Sequence, residues 1–77
     1  MQTMETKFRE IRESLYASRE DVVRRTKSIS LSTIRNVELG KPIRRDTARQ
    51  LLGAINALLT EAGKPTMTLD DLGLTLN

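Results

Sequence analysis

The chain has no cysteine, no histidine and no tryptophan, and one phenylalanine and one tyrosine among its 77 residues. Without cysteine there are no disulfide staples or thiolate metal sites. Without histidine there are no imidazole ligands, and the Cys–His and Ser–His arrangements of nucleophilic catalysis are closed. The scarcity of aromatic rings argues against a surface that stacks splayed RNA bases, and Phe8 is expected in the core instead. Long apolar runs are missing as well, so nothing approaches the ~20 residues of a membrane helix. The stretch MQTMETKFREIRESL scatters charges throughout. It predicts no secretory signal and hence a cytoplasmic protein. From this inventory neither an enzyme nor a bound metal or cofactor is expected.

What the chain does have is charge, placed unevenly. The formal total is only +3, but residues 19–49 hold nine basic side chains against four acidic ones, a local +5. The two ends together hold four basic and six acidic residues, or −2. A positive segment flanked by acidic ends suggests an anionic partner for the middle of the chain.

Apolar spacing in this short chain is helical throughout and predicts one all-α domain over 1–77 with a small core. Met4, Phe8, Ile11 and Leu15 form one stripe of a first helix over about 4–16. Ser18 and Asp21 have capping-box spacing and open a second helix, with Val22, Val23 and Thr26 inward, ending near Lys27. Lys27-Ser28-Ile29 is the break. Ser30 caps a third helix in which Ile34 and Val37 share one face while Ser32, Arg35, Asn36 and Leu39 lie roughly opposite. Gly40 and Pro42 end it. Asp46 is the expected cap of a long fourth helix over about 47–62, with Leu51, Leu52, Ile55, Leu58, Leu59 and Ala62 on its apolar face. Gly63 and Pro65 stop it. Thr68 and Asp71 repeat the capping-box spacing for a short fifth helix around Leu69 to Leu72, within the C-terminal 66–77, and the tail of Leu72, Leu74 and Leu76 alternates and reads alternatively as a short extended segment.

The segment from Ser18 to Gly40, SREDVVRRTKSISLSTIRNVELG, has the pattern of a DNA-reading helix-turn-helix, and SLSTIRNVELGKP at 30–42 is its most specific part. There the chain resembles the xenobiotic-response-element (Xre) helix-turn-helix family, which includes the lambda-type phage repressors and Cro proteins. Ser30, Thr33, Ile34, Val37, Glu38, Gly40 and Lys41 match its pattern in register. The chain departs from the family at Val23, where alanine is usual, at Tyr16, where glycine is usual, and in a longer turn without glycine at Lys27-Ser28. The resemblance implies a compact bundle of four to five helices, a lambda-repressor-like DNA-binding domain with its helix-turn-helix at about 18–40. It also implies a sequence-specific transcriptional regulator, a repressor, that reads the major groove of double-stranded DNA with residues of about 30–39.

Carried over residue by residue, Leu31, Ser32 and Asn36 enter the groove, with Arg35 beside them. Their chemistry suits that role. Asn36 has the bidentate donor–acceptor pair for adenine, Ser32 can donate or accept, Leu31 can pack on a thymine methyl, and Arg35 can reach guanine or a phosphate. Phosphate contacts are expected from Arg19, Ser30, Thr33, Lys41, Arg44 and Arg45, with amide donors at the helix starts. Arg24, Arg25 and Arg49 read as ordinary solvated charges. Glu38 resembles the family's glutamate that pairs with an arginine of the first helix, here Arg12, a structural pair without a catalytic companion. A homodimer is expected, reading a palindrome with half-site centres about 34 Å apart, because one module has a small footprint and the fourth helix and Leu-rich tail carry surplus apolar surface. The alternative is an antitoxin or other protein-interaction module on the same helices, with a toxin or similar partner held by residues 63–77.

Overall fold

The computed structural model describes residues 7–77, and within them four α-helices run in chain order: α1 (Lys7–Ser14), α2 (Arg19–Arg24), α3 (Leu31–Glu38) and α4 (Arg45–Glu61). A 3-10 turn over Asp70–Leu72 follows. Met4 lies outside the described residues. The stripe it was expected to begin is carried by Phe8, fully buried, with Ile11 and Leu15 packed half-buried at the edge of the core.

Local chemistry explains where the helices start. Ser18 Oγ accepts the Asp21 N–H at 3.1 Å while the Asp21 carboxylate accepts the Ser18 N–H at 2.9 Å, the reciprocal capping box that opens α2. Ser30 Oγ accepts the Thr33 N–H at 3.3 Å and opens α3. The start of α4 differs from expectation. Arg44, in extended backbone, is the N-cap and supplies no side-chain bond, while Asp46 lies in the first turn and takes the neighbouring Thr47 N–H at 2.9 Å. Its negative charge still favours the helix N-terminus electrostatically.

Three helices end in the same way. Beyond α3, Gly40 N–H bonds to Val37 O and Lys41 N–H to Asn36 O; beyond α4, Gly63 N–H bonds to Thr60 O and Lys64 N–H to Leu59 O. This paired pattern needs a left-handed residue at its centre, and Gly40 and Gly63 have φ of 83° and 73°. Beyond α1 the equivalent bonds run from Tyr16 to Glu13 and from Ala17 to Arg12, but the left-handed residue is Tyr16 itself, at φ 55°. The glycine-to-tyrosine departure seen in the sequence therefore falls on backbone that favours glycine. α2 stops earlier than expected, at Arg24, so the break before α3 is longer by about three residues.

Every element contributes to one core. Phe8, Val22, Ile34, Val37, Leu51, Ile55 and Leu72 are the largest fully buried side chains, drawn from α1, α2, α3, α4 and the 3-10 turn. The expected face of α4 is confirmed at Leu51, Ile55 and Leu59, with Leu52 and Leu58 half-buried and Ala62 exposed. The tail takes the extended alternative. Ile43 N–H donates to Thr75 O and Asn77 N–H to Ile43 O, both at 2.9 Å, in a single parallel bridge between Ile43 and Leu76. Asn56 holds the approach to it, with its amide donating to Met67 O at 3.1 Å and accepting the Met67 N–H at 2.8 Å. Leu72, Leu74 and Leu76 thus cover the chain's own core, so the apolar surplus expected of the tail is used internally. No helix among the described residues is long and apolar enough to cross a membrane.

Candidate nucleic-acid interface

α3 has the two faces that its sequence predicts. Ile34 and Val37 are buried against the core, whereas Ser32, Arg35 and Asn36 are exposed. Leu31 is half-buried. It lines a polar recess of about 250 Å³ with Arg12, Ser18, Arg19, Glu20 and Arg35, between the starts of α2 and α3. Leu39 stays 63% exposed beyond the end of the helix.

The orientation of α3 is set at its last residue. Glu38 is 3% exposed, and its carboxylate accepts from Arg12 Nε at 2.7 Å and Nη2 at 3.5 Å, which is the pair expected from the sequence. Arg12 Nη1 donates to Ala17 O at 2.8 Å, which ties the same guanidinium to the end of α1. Sequence reasoning missed the third member. Arg19, expected on a phosphate, donates from both Nε (3.1 Å) and Nη2 (2.9 Å) to Glu38 Oε1. Glu38 therefore joins α1, α2 and α3 at one point, where two guanidiniums share one carboxylate. No spacing rule within a helix reveals a contact between residues 19 apart in sequence.

Ion pairing sorts the basic residues into two groups. Arg24 pairs with Asp21, and Arg25 Nη2 binds Glu61 at 2.8 Å and 3.1 Å, so these two are spent within the chain. Arg35, Lys41, Arg44, Arg45 and Arg49 have neither an ion pair nor a side-chain hydrogen bond among the described residues. Lys41, Arg44 and Arg45 are all exposed in the loop from α3 to α4 and at the start of α4. Ser30 and Thr33 are close enough for their hydroxyls to bond each other, at 3.2 Å, beside the start of α3.

The Asp21 carboxyl is held below its ordinary value chiefly by the Ser18 backbone N–H, then by the Ser18 hydroxyl and Arg24. Among the described residues no group of three or more His, Cys, Asp or Glu converges as a metal site. What the arrangement offers is a rigid helix with hydrogen-bonding side chains turned outward and uncommitted cations beside it. Comparison with protein-family models, with curated proteins and with solved structures finds no match to this chain.

Proposed function

We propose that the chain is a lambda-repressor-like helix-turn-helix domain that binds double-stranded DNA in a sequence-specific way and acts as a transcriptional repressor. One observation carries this reading: the outer face of α3 presents Ser32, Arg35 and Asn36 without a side-chain partner among the described residues, next to the cations Lys41, Arg44 and Arg45, which have no ion pair there either. Polar side chains aimed outward from a helix fixed on three sides suit base edges in a major groove. Free cations at its end suit the flanking phosphates.

In this reading Asn36 pairs with adenine, Ser32 with a neighbouring base edge and Leu31 with a thymine methyl, while Arg35 reaches guanine or a phosphate. Arg19, already gripped by Glu38, presents its remaining N–H donors to the backbone, with Ser30, Thr33 and the α3 N-terminus beside it. The protein acts as a homodimer on a palindrome, since a single α3 reads only a few base pairs.

Selection of duplexes from a random library is the direct test, and an enriched palindrome is the expected result. On that duplex Asn36→Ala costs about 1–3 kcal/mol and little on random DNA, whereas Lys41→Ala weakens both alike. A library that yields no enriched motif overturns the reading.

A further inference from the structure

A groove of about 500 Å³ runs between the end of α2 and the first half of α4. Arg25 and Lys27 line one side, and Asp46, Arg49, Gln50 and Gly53 the other. The Lys27 N–H donates to Gln50 Oε1 at 3.2 Å, which fixes the break after α2 against α4. Gly53 is in the interior of a seventeen-residue helix, where glycine is less stable than alanine. A Cβ built there would meet nothing within 4 Å, so no packing inside the chain calls for glycine.

The charges of the groove are unbalanced along its length. Arg49, Gly53, Ala57 and Glu61 fall at i+4 intervals on one ridge of α4. At one end of that ridge, beyond the groove's lining, Arg25 pairs with the Glu61 carboxylate. At the other, the lining holds Lys27 and Arg49, neither of them in an ion pair among the described residues, against one carboxylate, Asp46, one of whose oxygens accepts the Thr47 N–H.

We propose that this groove docks an acidic segment of a partner protein, whose carboxylates pair with Lys27 and Arg49 and whose backbone passes over Gly53. The Arg25–Glu61 pair is the same interaction made within the chain. A nucleic-acid backbone fits the site less well, because the flank of a helix has no free N–H groups for phosphate and a bulky sugar gains nothing from a missing Cβ. A peptide or helix crossing α4 gains close approach. The inference is separate from the DNA reading, since none of Leu31, Ser32, Arg35 and Asn36 lines the groove.

The test titrates the full chain, isotope-labelled for NMR, with a Glu-rich helical peptide of about fifteen residues, its Lys-rich counterpart, and random duplex DNA. The acidic peptide is expected to shift the Gly53 and Lys27 amides, and the basic one is not. Gly53→Ala should raise Tm by about 2–8 °C yet weaken the acidic peptide roughly fivefold. The Lys27→Gln/Arg49→Gln pair should weaken it about tenfold. Equal peptide affinity in wild type and Gly53→Ala overturns the proposal, and so does a Gly53 shift produced by DNA and not by peptide.

Discussion

Tyr16 occupies left-handed backbone at the end of α1, in the role that Gly40 and Gly63 fill at the ends of α3 and α4. Its side chain is 97% exposed, so it recovers no burial for the strain of an L-residue there. That strain is about 1–2 kcal/mol, and glycine returns part of the gain as unfolded-state entropy of about 0.5–1 kcal/mol. Tyr16→Gly is therefore expected to stabilise the fold by about 0.5–1 kcal/mol, read as a higher midpoint in urea. A lower midpoint would show that the tyrosine ring contributes more than its exposure suggests. Glu38 presents the opposite case. Removing its carboxylate leaves buried Arg12 with the long, half-exposed contact to Glu13 at 4.0 Å as its counter-charge, so Glu38→Ala should still cost about 3 kcal/mol in the same measurement. Arg19→Ala should cost much less, because about a third of its side chain is in water.

At the scale of elements, the features legible in the sequence were those written in short-range chemistry. The Ser18–Asp21 box, the Ser30 cap, the glycine stops and the buried face of α3 depend on residues within one turn, where spacing decides geometry. The pattern puts the cap of α4 at Asp46 and the structure puts it at Arg44, because a carboxylate in the first turn and one at the cap leave the same mark on a sequence. The alternating tail fits helix and extended segment alike, because the partner that decides it, Ile43, is some thirty residues away. The motif alone points Arg19 at a phosphate, and its grip on Glu38 arises only when α2 is laid across α3.

The Ser18–Asp21 box and the Thr68 N–H that donates to Asp71 Oδ2 at 2.9 Å are expected to make the fold acid-sensitive. Asp21 is held down mainly by the Ser18 N–H and Asp71 mainly by the Thr68 N–H, both below the ordinary 3.8. A carboxyl with a depressed folded-state value adds stability above its unfolded value and loses it as pH falls through the folded one. Thermal midpoints should thus be level from about pH 7 to 5 and fall below about pH 4. Asp21→Asn/Asp71→Asn should lose less between pH 6 and pH 3 than the unaltered chain does. An identical acid limb in both would remove these caps as its source.

At the scale of the whole molecule, the described residues span 31 × 31 × 22 Å, and the chain's net charge of +3 understates the charge available to a partner. Among the described residues Arg24 and Arg25 are matched by carboxylates, whereas Arg35, Lys41, Arg44 and Arg45 are not. For DNA binding this difference is measurable, because each phosphate neutralised releases counterion and contributes about −0.9 to the slope of log affinity against log salt. Four to six such contacts predict a slope of about −3.6 to −5.4 per protomer on the selected duplex. Arg44→Ala should make the slope shallower by about 0.9, and Arg24→Ala should leave it unchanged although Arg24 is itself largely exposed. If both substitutions flatten the slope equally, internal ion pairing does not decide which cations meet DNA, and the attraction is a diffuse property of the basic middle segment.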